Sequence, residues 1–276
     1  MGKLGKLYLV GTPIGNLEDI TLRAMRILQE VELIAAEDTR RTGKLLQHLS
    51  ITTPQISYNE HNHHGRIQEL INRLSQGESI ALVTDAGMPS ISDPGVELVQ
   101  VAIAHQITVI PIPGGTAVIS ALAASGLPTE RFVFEGFLPQ KKSDRIARLA
   151  SFRSETKTVV LYEAPHRILK TLKDLATVVG DEREIVLARE LTKIHEEFWR
   201  GNIGSAINLY TNERQPKGEY TLVLQGAAET SLITSEAELK QELQQLLAQG
   251  MTRSQASRQL AKLTSLSRRE IYQLEI

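Results

Sequence analysis

The 276-residue chain contains no cysteine. That excludes a disulfide framework, a thiolate nucleophile and any cysteine-ligated zinc or iron–sulfur centre. Aromatic residues make up only 4%, too few for a broad base-stacking platform. Neither sign of charge dominates. There are 31 Lys and Arg against 32 Asp and Glu, a formal charge of -1, so nucleic acid would have to be met by local basic patches. The stretch from Leu98 to Thr129 has no Lys, Arg, Asp or Glu, but Pro111, Pro113, Gly114 and Gly115 break it. No run of about 18–20 apolar residues remains to span a bilayer. Leu7–Val10 is too short for a signal peptide. A Lys-Ser/Thr P-loop and a G-x-G-x-x-G after the first strand are also missing, which removes support for an ATPase or a standard dinucleotide dehydrogenase. A cytoplasmic protein without a membrane span is expected.

What is present alternates between strand and helix. Apolar runs at Leu7–Val10, Val31–Ala36, Ile56–Tyr58, Ser79–Thr84 and Thr108–Ile112 read as strands. Between them, Asp19–Leu28 (capped by Asp19), Thr42–Leu49, Arg66–Gln76 and Pro94–His105 carry helical spacing. After a boundary at Gly114-Gly115 the class repeats. Strands are expected at Arg131–Glu135, Thr158–Tyr162, Glu184–Ala188 and Gly218–Gln225, with helices at Ala117–Ser125, Ser143–Arg153, Ile168–Val178 and Ile203–Asn212. Continuous apolar strands alternating with helices imply mostly parallel sheets covered on both faces. Gly226–Thr234 reads as a linker. Ser235–Gln249, Arg253–Leu263 and Ser267–Leu274 read as C-terminal helices, with Thr252 and Ser267 as N-caps. The expected division is 1–114 and 115–228 for two α/β domains, and 235–276 for a helical extension resembling a helix-turn-helix.

In open α/β sheets ligands bind beyond the carboxyl ends of the strands, and every unusual motif falls there: Gly11–Asn16, Glu37–Arg41, Asp85–Gly95, Pro113–Ala117, Glu163–Arg167 and Arg189–Lys193. The Asp85–Gly95 loop is the most informative. Gly87 and Gly95 let backbone approach a ligand, Pro89 and Pro94 stiffen the loop, and Asp85 and Asp93 suit ribose hydroxyls or a ligand cation. Asp93 before Pro94 also reads as a helix cap. Thr116 and Ala117 open a helix after a glycine turn, which can cradle a phosphate or carboxylate or serve only as a tight turn.

Taken in order, Leu7–Leu17, Glu37–Arg40, Asp85–Gly95, Tyr162–Arg167 and Ala188–Lys193 resemble the bacterial 16S ribosomal RNA cytidine 2′-O-methyltransferases of the tetrapyrrole (corrin/porphyrin) methylase superfamily. The resemblance covers about residues 5–225, and the C-terminal helices also look like that family's extension. It implies two α/β domains with S-adenosylmethionine in the cleft between them, a homodimer, no metal, and a cytidine of 16S rRNA in the small ribosomal subunit as acceptor. Carried onto this chain, cofactor contacts fall at Pro13, Asp85, Gly87, Asp93, Thr116, Ala117, Tyr162, Ala188, Tyr220 and Thr221. Two departures stand out: the family usually has Thr where Met88 stands, and often Pro where Gly115 stands.

Methyl transfer from a sulfonium is an in-line displacement that needs alignment and no metal. A ribose 2′-hydroxyl is a poor nucleophile, so a general base or polarising cation is expected. The strand ends offer Glu37, Asp38, Glu163, Glu190 and Lys193; Glu37, Glu163 and Lys193 are the catalytic candidates, with the base itself left open and an ion pair as the alternative for each. Arg40, Arg41 and Arg167 suit phosphates. Two basic segments do too: Lys141–Arg153, with Lys141, Lys142 and Arg145, and Met251–Tyr272, with Arg253, Arg258, Lys262, Arg268 and Arg269. Solvated helix faces are the alternative. His61, His63 and His64 lie near Glu60, but no partner cluster is evident in the sequence, so a polar loop is expected there. Two other function classes remain open, a methylase of a small or other non-RNA substrate and a non-catalytic RNA-binding assembly protein.

Overall fold

A computed structural model describes residues 4–228, 236–261, 264 and 266–274. The first sheet is built from β1 (Lys6–Val10), β2 (Leu33–Ala36), β3 (Gln55–Ser57), β4 (Ile80–Val83) and β5 (Thr108–Ile112), in the order β3-β2-β4-β1-β5 with parallel pairing. β2 and β4 are buried along their whole length, which is why they read as unbroken apolar runs rather than alternations. Between the strands run α1 (Leu22–Glu30), α2 (Thr39–His48), α3 (His63–Ser75) and α4 (Val96–Ala104). One apolar cluster includes Leu7, Leu70, Leu74, Leu82 and Leu98, and a second includes Val10, Leu28, Ile34, Val83 and Ile112. Leu7 and Val10 of β1 thus point into different clusters, as strand alternation requires of residues three apart.

Two helix caps differ from expectation. Thr21, not Asp19, caps α1, accepting the Ala24 N–H at 3.1 Å; Asp19 closes a short 3₁₀ turn before it. α4 begins at Gly95, whose φ of 143° suits only glycine, and Asp93 does not cap it.

The second sheet is not mostly parallel. It holds β6 (Phe132–Phe137), β7 (Thr158–Glu163), β8 (Glu184–Arg189), β9 (Glu197–Asn202) and β10 (Tyr220–Leu224), in the order β6-β7-β10-β8-β9. Only β6 runs parallel to its neighbour; the other three pairings are antiparallel. β9 is an addition to the expected strands. It is a half-buried edge strand, Glu-Phe-Trp-Arg-Gly-Asn, without clean alternation. α5 (Ala117–Ser125) lays Val118, Ala121 and Leu122 against Val160, Val186 and Val223. On the other face, α6 (Lys142–Ala150), α7 (Ile168–Val179) and α8 (Ile203–Asn208) cover a cluster that includes Leu161, Leu187 and Leu222.

Both sheets belong to one compact unit, described over residues 4–153 with 157–225. Residues 154–156 and the described residues after 225 form the second unit. There α9 (Glu236–Ala248), α10 (Arg253–Leu260) and α11 (Arg268–Gln273) close on Leu239, Leu243, Ala256, Leu260 and Ile271. Thr252 and Ser267 cap α10 and α11 through complete capping boxes. The linker end and helix start at 229–235, and Lys262 and Leu263, lie outside the described residues. No helix among the described residues is long and apolar enough to cross a membrane.

Candidate active site

Parallel pairing puts the loops after β1, β2, β4 and β5 at one edge of the first sheet. Glycines lock them together. A Cβ on Gly11 would meet the Gly114 backbone at 2.7 Å, and one on Gly114 would meet Gly11. Thr12 and Gly87 form an isolated antiparallel bridge, with N–H to carbonyl distances of 2.9 and 3.1 Å, and the Thr12 hydroxyl donates to the Thr84 carbonyl at 3.1 Å. The loops also meet the second sheet's side. A Cβ on Gly15 would lie 2.5 Å from Cγ of Lys193, and one on Gly136 would lie 2.8 Å from Oγ of Ser92. Within Asp85–Gly95, Gly87, Ser90, Ser92 and Gly95 all have positive φ, from 61° to 143°. The glycines adopt it freely, but at Ser90 and Ser92 it is strain, which persists only where the surrounding structure over-determines it and clusters at functional sites.

Three carboxylates gather here. Glu37 accepts the Asp85 N–H at 3.1 Å. Burial raises its pKa, and the Asp85 and Glu60 carboxylates add to the rise against Arg41. Burial also raises Asp85, although Arg41 stands 3.2 Å away. Asp93 is pushed up to about 7, first by burial and then by the Glu37 carboxylate. Asp85 Oδ1 and Ser90 Oγ are buried without a hydrogen-bond partner among the described residues, and Thr84 Oγ1 has none of good geometry, although it lies close enough to the Asp93 carboxyl to oppose its rise. A recess of about 170 Å³ beside them is lined by Thr12, Pro13, Arg41, Lys44, Thr84 and Asp85. Buried polar groups lacking partners are rare in folded proteins and mark places where a ligand or water completes the bonding. The sequence reading missed Thr84 and Ser90, although Thr84 follows β4 directly and the strand-end rule covers it.

The second sheet presents Tyr162, Thr221 and Ala188 as adjacent partners in one cross-strand row. The face is the one α5 covers further along, since Val160, Val223 and Val186 lie two residues on. Phe134 and Phe137 pack on Tyr162 at ring distances of 5.1 and 5.5 Å. Burial raises the Tyr162 pKa, and the Asp93 carboxylate contributes, so the two halves of the site come within electrostatic reach. Thr116 caps α5, accepting the Ile119 N–H at 3.4 Å, and Ala117 packs into the same cluster as Tyr162 and Ala188.

Several expected site residues are placed elsewhere. Tyr220 pairs with Glu163 and Arg189 in the next row, which faces the opposite side; its hydroxyl lies 3.1 Å from that of Tyr210, inside the core. It offers the cleft no side chain. Glu163 is fully enclosed. Its oxygens accept the Thr171 hydroxyl and the Ala164 N–H, and Arg167 lies 3.3 Å away. A carboxylate so enclosed cannot reach a substrate proton, so it is not a catalytic candidate. Arg167 also donates to the Leu138 carbonyl at 2.7 Å. Arg145, expected on RNA, is 1% exposed; it pairs with Asp174 at 2.7 Å and donates to the Pro139 and Gln140 carbonyls. Arg145 and Arg167 therefore clamp the loop before α6 instead of meeting phosphate. Lys193 lies beside Gly15 but binds Glu190 at 2.9 Å and Glu219 at 2.8 Å. Partial burial opposes its charge, yet these two partners raise its pKa overall, which favours the charged form. Arg253 is held by the Tyr272 and Leu274 carbonyls, whereas Arg258, Arg268 and Arg269 are exposed.

The family model of the Tetrapyrrole (Corrin/Porphyrin) Methylases matches residues 6–207. The chain belongs to this family. Among individual tetrapyrrole methylases, it is 60% identical to a Synechocystis sp. protein named Ribosomal RNA small subunit methyltransferase I, over 99% of this chain and 98% of that one. A Halalkalibacterium halodurans protein of the same name is 46% identical, over 98% and 94%. The fold is also that of diphthine synthase (TM-score 0.62, 14% identity, 80% of this chain and 90% of that one). It matches as well the Thermus thermophilus uroporphyrin-III C-methyltransferase complexed with S-adenyl homocysteine (TM-score 0.59, 17% identity, 80% and 97%).

Proposed function

We propose that this chain is an S-adenosylmethionine-dependent methyltransferase of the small-subunit ribosomal RNA, acting on the 2′-hydroxyl of a cytidine in 16S rRNA. The observation that carries the reading is the 60% identity to a methyltransferase so named along nearly all of both chains. That match extends through α9–α11, outside the span of the general family model.

The site fits the cofactor on three counts. The unpartnered Asp85 Oδ1 suits ribose hydroxyls or amine donors. Three carboxylates opposed chiefly by Arg41 leave a negative field suited to a cation. Tyr162, Thr221, Ala188 and Ala117 supply a surface of mixed aromatic and small side chains for an apolar ring. Pro13, Gly87, Asp93 and Thr116 frame the same loops. The cofactor's contribution is a methyl group activated on a positively charged sulfur, which leaves as a neutral thioether.

The chain's own residues supply position and charge. Glu37, beside Asp85 and Asp93, is the accessible carboxylate among the catalytic candidates, and the cluster can take up a proton near neutrality. Lys193 keeps its charge and orients rather than deprotonates. Arg40 and Arg41, with side chains 88% and 67% exposed, and the exposed Lys141 and Lys142 are phosphate contacts in this reading. The protein works as a homodimer in the cytoplasm.

The test is tritium transfer from labelled S-adenosylmethionine to small ribosomal subunits lacking the modification, followed by nucleoside analysis. Labelled 2′-O-methylcytidine is the expected product. Cofactor binding without transfer would move the acceptor to another molecule; absence of both would overturn the reading.

A further inference from the structure

The histidine loop has the partner that its sequence does not reveal. His63 and His64 open α3, and Glu97 lies in the first turn of α4. Their ligand atoms all fall within 4.8 Å of one another. Glu97 Oε2 is 3.3 Å from His63 Nε2 and 3.5 Å from His64 Nδ1. The turn that leads into α3 is fixed by its own hydrogen bonds. Asn62 Oδ1 accepts the Asn59 N–H at 2.9 Å, Asn62 Nδ2 donates to Ser57 Oγ at 2.9 Å, and the His63 N–H donates to the Asn59 carbonyl at 2.9 Å.

Proton placement decides what the cluster needs. His63 Nδ1 lies 2.9 Å from the Glu60 carbonyl, which can only accept, so Nδ1 carries the proton and, in the neutral ring, Nε2 presents a lone pair. That lone pair points at a carboxylate oxygen. Repulsion between the two is relieved by a proton or by a cation between them. The two rings lie with centroids 4.0 Å apart, and both present a nitrogen toward the same carboxylate. The two histidine–Glu97 separations fit as well, with the two ring nitrogens within 4.8 Å of each other. Zinc bonds to nitrogen and oxygen of about 2.0–2.1 Å place neighbouring tetrahedral ligands about 3.3–3.4 Å apart. The Glu60 carbonyl is the kind of outer partner that orients a metal-bound imidazole.

We propose that His63, His64 and Glu97 form a binding site for a borderline first-row divalent cation, of which Zn²⁺ is the representative. Two imidazoles and one carboxylate favour such ions over Mg²⁺ or Ca²⁺, which take mostly oxygen ligands. Side-chain exposures of 82% at His64 and 50% at Glu97 leave the remaining position open to water. The ion joins the start of α3 to the start of α4, two residues beyond Gly95 and the strained loop. The inference does not rest on the methyl-transfer reading.

The test uses the full chain stripped of metal with chelator and titrated calorimetrically with Zn²⁺ alone. One equivalent should bind, with Co²⁺ at the same site showing the visible bands of tetrahedral coordination and Mg²⁺ giving no heat. Losing an orienting partner alone costs about 10–100-fold in affinity, so His64→Ala and Glu97→Gln should each weaken Zn²⁺ at least ~10-fold. His105→Ala, which removes an exposed histidine at the far end of α4, should change nothing. Equal unfolding temperatures without Zn²⁺ would show that the variants are folded. Absence of stoichiometric binding, or binding that survives in both His64→Ala and Glu97→Gln, would overturn the proposal.

Discussion

Arg41 Nη1 lies 3.2 Å from Asp85 Oδ2, while the other oxygen of the same carboxylate is buried with no partner among the described residues. One side of Asp85 is neutralised and the other is left for a ligand. Arg41→Ala should therefore sharpen discrimination between cationic S-adenosylmethionine and neutral S-adenosylhomocysteine. Because the Arg41 side chain is 67% exposed, the pair is worth about 0.2–1 kcal/mol, and the ratio of the two affinities should rise about 1.4-fold to fivefold. Titration calorimetry with both ligands measures it. An unchanged or falling ratio would remove Asp85 from the cation's surroundings.

The carboxylate cluster makes stability depend on pH with an unusual sign. Asp93 has its pKa raised to about 7 from 3.8. The folded state binds its proton more tightly than the unfolded state, so ionising it destabilises the fold. The penalty is absent below about pH 4, grows as pH rises toward 7, and is fully present above that. Linkage sets an upper bound of about 4 kcal/mol, and partial exposure reduces it to about 1–2 kcal/mol. Asp93→Asn should raise the unfolding temperature at pH 8 and leave it unchanged at pH 4. Equal gains at both pH values would point to packing instead of charge.

Backbone contact between the loops after β1 and β5 gives a prediction with an internal control. A methyl group at Gly114 would sit 2.7 Å from the Gly11 backbone, whereas one at Gly115 would meet nothing nearer than Ile14 Cγ2 at 3.6 Å. Gly114→Ala should cost about 1–3 kcal/mol and loosen the loops, and Gly115→Ala less than about 0.5 kcal/mol. Chemical denaturation of both variants compares them. The same geometry makes the Gly115 departure from the family pattern sterically harmless.

Much of this is legible in the residues, for identifiable reasons. The α5 boundaries, Ala117–Ser125, follow from Thr116 as cap and Gly126 with φ 86° at the other end. The strand-end motifs lead to the carboxylate cluster, because a parallel sheet gathers those ends. Two misplaced residues were open to correction from the sequence itself. Tyr162 and Glu163 are neighbours on one strand, as are Tyr220 and Thr221, so alternation forbids both members of either pair from facing the cleft. Two other features were not legible. β9 carries no usable period, and the antiparallel second sheet has buried strands that read like parallel ones. The Glu97 partner of the histidines lies more than 30 residues away in sequence and is supplied only by the packing of α4 beside α3.

Glu163 separates structural from chemical roles. Removing one partner of a buried ion pair costs about 3–5 kcal/mol, whereas losing a general base costs about 10²–10⁴-fold in rate. Glu163→Gln leaves the Arg167 guanidinium uncompensated, so the unfolding temperature should drop sharply. At a temperature where the variant is still folded, turnover should remain within tenfold of the parent. A folded variant with turnover down a hundredfold or more would return Glu163 to the chemistry.

The basic segment around α6 divides in the same way. Lys141 and Lys142 are exposed, and the Lys141 pair with Asp144 is a loose 3.7 Å contact; Arg145, three residues beyond Lys142, is sealed against Asp174. A lysine that no longer neutralises its phosphate flattens the logarithmic salt dependence of binding by about 0.7–0.9. A Lys141→Ala/Lys142→Ala double variant should bind small-subunit RNA more weakly and flatten the slope by about 1.4–1.8, with unchanged thermal stability. Arg145→Ala should do the reverse, lowering stability by about 3–5 kcal/mol because Asp174 is left buried and unpaired, while the folded fraction keeps the parent's salt slope. Filter binding across a salt series, paired with thermal unfolding, distinguishes the two. A flattened slope in folded Arg145→Ala would mean that the loop it clamps, and not the two lysines alone, carries the phosphate contacts.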